Sequence, residues 1–268
     1  MTILRREEGY IFMTVSHVPE RYPEIDIARG IAVVMMVVFH IAFDLSFLGI
    51  AAIPVGSPPW RVFAMATAAL FLLLVGISLS ISSGYARTRL SRSDFTLKYL
   101  KRGAGIFAIG VGISIVTWII LPGAFIVFGI LHLIGLSIAL SPLYSRYSWQ
   151  NLLAGLGIIL FSPAVAAMRG DGWLVWLGIH PPAFYSIDYT PVFPWFGVVL
   201  IGVFLGTILY PRAARRWDHE VPTLPGSPLR YLGRHSLAIY LIHQPVILGI
   251  LFVAFPGAFS AFVPPLPG

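Results

Sequence analysis

The sequence predicts an all-α, polytopic membrane bundle of about seven transmembrane helices with a cytoplasmic N-terminus. Of 268 residues, 57% are hydrophobic and 11% charged, where a soluble domain carries about a quarter charged residues. Mean hydropathy is +0.85. Seven apolar stretches, at about 27–50, 60–82, 101–121, 123–142, 149–168, 191–210 and 233–255, approach the ~20 residues that cross a hydrocarbon core. Peptide groups in lipid must bond internally, so each stretch is read as a helix, and a period-2 barrel pattern is absent.

The first span carries ionisable groups where lipid disfavours them: Asp26, Arg29, His40 and Asp44. At about 100° per residue, Arg29 and His40 lie within about 20° of each other around the helix, and Asp44 and Asp26 fall within about 60° to one side. Charge at membrane depth is costly and marks a functional stripe. Arg29 is either a snorkelling anchor paired with Asp26 or a clamp for an anionic ligand, since guanidinium suits phosphate. His40 lies about 16 Å further along the axis, with Asp44 at i+4. A carboxylate there would fix the tautomer of a catalytic base or nucleophile. Asp44 would alternatively bind substrate hydroxyl or amino groups.

The second span leads into a basic loop, 87–102, holding Arg87, Arg89, Arg92, Lys98, Lys101 and Arg102. This loop and the one with Arg212, Arg215, Arg216 and Arg230 mark the cytoplasmic side. Arg87, Arg89, Lys101 and Arg102 are candidates to hold a polyphosphate-bearing cofactor. The net charge of +7 does not suggest nucleic acid, because the basic residues sit between apolar spans. No phosphate-binding glycine loop accompanies them.

The third span is dense in glycine (Gly103, Gly105, Gly110, Gly112), and the sixth carries Gly202 and Gly206 as a GxxxG, the composition of close helix packing. The fourth span contains His132 and the seventh His243-Gln244; these are secondary polar candidates, suited to bonds between helices. Trp173–Tyr189 is too short and proline-broken to cross and rich in aromatics. It is read as an external re-entrant or interfacial element able to cover a substrate cleft. Residues 1–20 are expected to be an N-terminal extension, without a cleavable leader and poorly ordered or interfacial, and 257–268 a C-terminal tail. With no cysteine, disulfides and thiolate chemistry are excluded. The His ligand pairs of a metal-binding helix are missing, so no metal is expected.

Several stretches together carry a family resemblance: RYPEIDIARGIAVVMMVVFHIAFDL, FLLLVGISLSIS, FGILHLIG, PVFPWFGVVLIGVFLG and LGRHSLAIYLIHQP. In this order, over residues 21–250, they resemble the prokaryotic relatives of the heparan-alpha-glucosaminide N-acetyltransferase catalytic domain. The Arg29–His40 spacing and SLAIYLIHQP are also similar to the acyltransferase-3 family. The resemblance implies a transmembrane acyltransferase of residues 21–256 in the cell (inner) membrane. It implies acetyl-CoA as cytoplasmic co-substrate and an extracytoplasmic sugar or glycan acceptor. Arg29 and His40 match the acyltransferase-3 pattern, in which that histidine is the catalytic candidate. The lysosomal enzyme departs here, with asparagine near the place of His40 and its active histidine near the place of Ala51. This chain has no histidine at 50–60, so the catalytic role shifts to His40. Membrane lipids are expected partners and self-association is left open. A transporter or flippase lined by the stripe, and a non-catalytic relative of the enzymes, are the alternative readings.

Overall fold

A computed structural model of the chain describes residues 22–211 and 227–260. The expectations for residues 1–20, for the end of the C-terminal tail and for Arg212, Arg215 and Arg216 lie outside the described residues. Eight α-helices occur among those described: α1 Pro23–Phe47, α2 Pro58–Arg87, α3 Arg92–Ile120, α4 Ile130–Tyr144, α5 Trp149–Ala167, α6 Val192–Leu209, α7 Pro228–Arg234 and α8 Ser236–Ala254. Six of them are long and apolar enough to cross a membrane, and α4 is a shorter apolar helix. The chain is a polytopic helical membrane protein. Its outer faces are apolar, as lipid requires: Leu153, Leu160 and Phe161 of α5 and Ile115, Trp118 and Ile119 of α3 are all exposed.

Small residues set the tightest helix contacts. A Cβ on Gly202 would collide with the Leu73 carbonyl of α2, and one on Gly206 would meet Ser80 at 2.6 Å. The GxxxG is thus the close α2–α6 seam. Gly103 packs against the backbone of α4 in the same way, whereas Gly105 and Gly112 face open space.

The fourth span differs from expectation. Its helix starts at Ile130 rather than near residue 123. At 15 residues it rises about 22 Å, short of a ~30 Å core. Residues 124–128 are non-helical and bond to 186–190 instead. Ile187 N–H donates to Ala124 O at 3.0 Å, Thr190 N–H to Phe128 O at 2.8 Å, and the Ser186 hydroxyl to Phe125 O at 2.9 Å. Non-helical backbone is tolerated there because other protein satisfies it. The aromatic segment Trp173–Tyr189 begins in a 3-10 helix, Gly172–Leu177, tied down by the Tyr189 hydroxyl on Val175 O at 2.6 Å.

The expected basic loop is also corrected. α2 continues to Arg87 and α3 begins at Arg92, so residues 87–102 are mostly helix. The Ser91 hydroxyl accepts from Asp94 N–H at 3.1 Å, an N-cap that starts α3 well before its apolar stretch. The seventh span is α8, and the short helix α7 precedes it, the two meeting at His235.

Candidate functional site

The polar stripe of α1 divides between two places. At its first turns, buried Asp26 accepts from Arg29 Nη1 at 3.3 Å and from Arg234 Nε at 3.4 Å. Asp26 therefore holds two guanidiniums beside one another. Their registry comes from α7 pressing on α1: a Cβ on Gly233 would collide with the Asp26 carbonyl, and one on Gly30 with the Leu229 carbonyl. Arg29 Nη2 also donates to the Ser78 hydroxyl of α2.

Arg29 and Arg234 open onto a cavity of about 290 Å³ among α1, α2, α3, α4, α7 and α8. Arg102 of α3 also lines it, with Ser78, Ser236 and Tyr240 as further polar lining. Phe71, Leu74, Ile106, Ile134 and Ile138 make the apolar remainder. Three guanidiniums face the space, with Asp26 paired to two of them. Such a site suits an anionic group followed by an apolar or amide-bearing chain.

The expected phosphate cluster is only partly assembled here. Arg29 and Arg102 line the cavity. Arg87 instead donates to the Ser145 hydroxyl at 2.9 Å and lies over the Phe95 ring, fastening α2 to the end of α4. Arg89 stacks on Tyr85, 4.3 Å from the ring centroid, and Lys101 is exposed outside the cavity lining. Arg87 ends α2 and Arg89 lies in the turn before α3, while Lys101 and Arg102 point about 100° apart around α3, so the four cannot face one pocket. Arg234 and Tyr240 were the residues that sequence reasoning missed. Both lie in LGRHSLAIYLIHQP, and Tyr240 stands three positions before His243, on the same helix face.

The C-terminal end of the stripe meets α8. The rings of His40 and His243 pack edge to face with centroids 4.8 Å apart. His40 Nδ1–H donates to Met36 O at 2.9 Å, and His243 Nδ1–H to Tyr240 O at 2.7 Å. A carbonyl can only accept, so both rings carry the hydrogen on Nδ1 and a lone pair on Nε2. The Tyr240 ring lies 5.7 Å from that of His243, so the cavity wall, His243 and His40 form one contiguous series.

The expected bond between His40 and Asp44 is not made. Side chains on a helix lean toward its N-terminus, so the His40 ring tips back toward Met36 rather than forward. Buried Asp44 instead accepts from Gln244 Nε2 of α8, which is 2.8 Å from both carboxylate oxygens. His132 lies away from this cluster. Its Nδ1 accepts from Gly129 N–H at 3.2 Å at the start of α4, and its ring packs edge to face on Phe107, which is a structural role. Among the described residues no group of three or more histidine, aspartate or glutamate side chains could hold a metal ion.

The sequence model of one family, described as heparan-alpha-glucosaminide N-acetyltransferase, catalytic, matches residues 21–245. Searches of curated proteins and of solved structures returned no match.

Proposed function

The chain belongs to the heparan-alpha-glucosaminide N-acetyltransferase catalytic family, and from that membership we propose that this membrane acyltransferase moves an acetyl group from cytoplasmic acetyl-CoA to an extracytoplasmic sugar or glycan. The observation that carries the reading is the cavity lined by Arg29, Arg102 and Arg234, whose wall residue Tyr240 packs against His243, which in turn packs on His40. Arginines suit the phosphates of CoA, and the apolar wall suits its pantetheine arm. Acetyl-CoA would supply a thioester-activated acyl group.

His40 is the proposed general base. Its Nδ1–H is anchored on Met36 O, which fixes the ring and presents the Nε2 lone pair. Nε2 takes the proton from an acceptor hydroxyl or amine as that oxygen or nitrogen attacks the thioester carbonyl. The C–S bond then breaks, and His40 returns the proton to the departing CoA sulfur. One histidine thus completes the proton inventory without a second activated group. Asp44 is proposed to serve the acceptor side through its bond with Gln244 rather than to orient His40. The cell (inner) membrane is the proposed location.

The test is acceptor-dependent release of free CoA by the purified protein supplied with acetyl-CoA. His40→Ala should lose turnover by a factor of about 10²–10⁴, the usual worth of a general base, while CoA affinity is retained. Normal turnover in His40→Ala would overturn the catalytic assignment. Solute uptake with no thioester cleavage on any acceptor would overturn the enzyme reading.

A further inference from the structure

Four polar side chains meet on the seam between α1 and α8, and the atoms they leave free are all of one kind. A carboxylate offers only lone pairs, so Gln244 must face Asp44 with its NH₂ group, which turns Oε1 away. That oxygen is buried and has no hydrogen-bond partner among the described residues. His243, 9% exposed, spends Nδ1–H on Tyr240 O, and its buried Nε2 is likewise unpaired. His40 presents an Nε2 lone pair beside it. Asp44, 3% exposed, adds a carboxylate with only an amide against it among the described residues.

A seam built for helix packing would match donors with acceptors, because an unpaired buried acceptor is costly and rare. This one holds several acceptors and lacks donors to fill them. A ligand that completes it must bring O–H or N–H groups. We propose that the seam is the acyl-acceptor subsite, with Gln244 and His243 as specificity-determining residues that select a neutral or amino-bearing polyhydroxyl acceptor over an anionic one.

The inference rests on the acyltransferase reading above. One acceptor hydroxyl or amine donates to His40 Nε2 and is the group acylated, while its neighbours donate to Gln244 Oε1 and His243 Nε2. A carboxylate or phosphate on the acceptor would bring lone pairs against lone pairs and a negative charge toward Asp44. Discrimination of this kind is steep, since a site built for hydrogen bonding penalises a partner that cannot supply them.

The experiment measures binding to the full chain in lipid nanodiscs by calorimetry, with methyl glucoside and the carboxylate of methyl glucuronide as probes. CoA binding and acetyl transfer to the same probes are followed in parallel. The glucoside should bind about tenfold or more tightly than the glucuronide. His243→Phe and Gln244→Met should each weaken glucoside binding and raise its KM by about tenfold, with CoA affinity unchanged. His243→Phe removes an unpaired buried atom, so its unfolding midpoint should hold or rise. That variant decides the matter even if Gln244→Met, which strips Asp44 of its donor, does not fold. Equal binding of both probes, unchanged glucoside affinity in folded His243→Phe, or no glucoside binding by the parent chain would each overturn the proposal. Glucoside binding that obeys these rules without CoA binding or thioester cleavage would sustain the subsite and overturn the enzyme reading.

Discussion

Gln244 Nε2 lies 2.8 Å from both carboxylate oxygens of Asp44, joining α8 to α1 across a separation of 200 residues. Asp44 is buried, so removing Gln244 leaves a charged acceptor without a donor. Gln244→Leu should therefore destabilise the protein by about 1–3 kcal/mol. The double variant Asp44→Leu/Gln244→Leu should recover most of that loss, since removing both partners leaves nothing unpaired. Denaturant unfolding in detergent across the four members of the cycle measures the coupling.

The cavity separates the arginines into two groups. Arg29→Ala, Arg102→Ala and Arg234→Ala should each weaken CoA binding by on the order of tenfold, the scale of a charge-assisted contact near solvent. Arg89→Ala should leave it unchanged, because Arg89 lies on Tyr85 and outside the cavity lining. Calorimetric titration with CoA at fixed ionic strength distinguishes them, and raised salt should erode the first group's contribution.

Asp26 positions two of those arginines at once. Asp26→Asn keeps the shape and removes the charge that holds Arg29 and Arg234 together. CoA affinity in this variant should fall by several-fold, about the loss of an ion-pair orientation, despite the added positive potential in the cavity. A rise in affinity would show that net charge rather than guanidinium placement governs the site.

Glycine positions offer a paired test of the α1–α7 contact. Gly233→Ala places a methyl into the Asp26 carbonyl, where backbone must move, and should cost about 1–3 kcal/mol as overpacking does. Gly249→Ala on α8 meets nothing within 4 Å and should be neutral or stabilising, by up to about 1 kcal/mol of helix propensity. Thermal unfolding of both variants supplies the comparison.

Asp188, near the end of the aromatic segment, accepts from Ile130 N–H at the start of α4 and from the Thr190 hydroxyl at 3.3 Å. Burial outweighs these bonds and pushes its carboxyl above the ordinary carboxylate range. A raised folded-state value means that its favourable contribution is complete at low pH. That contribution is lost as pH climbs from about 4, the unfolded value. Asp188→Asn retains an acceptor for Ile130 and cannot ionise. Its unfolding midpoint should gain on the parent's as pH rises from 4 to about 8, and a gap that shrinks with pH would refute the assignment.

Much of the bundle was readable from composition because lipid imposes a single rule: apolar stretches of about twenty residues must be helices. The rule fails where the backbone finds partners outside its own helix. Residues 124–128 are as apolar as a span, yet their peptide groups bond to 186–190. Nothing local to either segment announces that pairing. The basic residues of 87–102 were visible as charges but not as directions. The Ser91 N-cap, a legible signal, would have moved α3 back to its true start.

The sequence by itself determined that this is a helical membrane protein with a polar stripe on its first span. Charge and hydropathy are local quantities, and the 3.6-residue period converts them directly into a helix face. Only the tertiary structure decided what the stripe touches. Asp26 gathers Arg29 with Arg234, while Asp44 turns from His40 to Gln244. Those partners lie about two hundred residues away on α7 and α8, brought there by small residues that let backbones approach. Periodicity along one helix cannot encode the register of another.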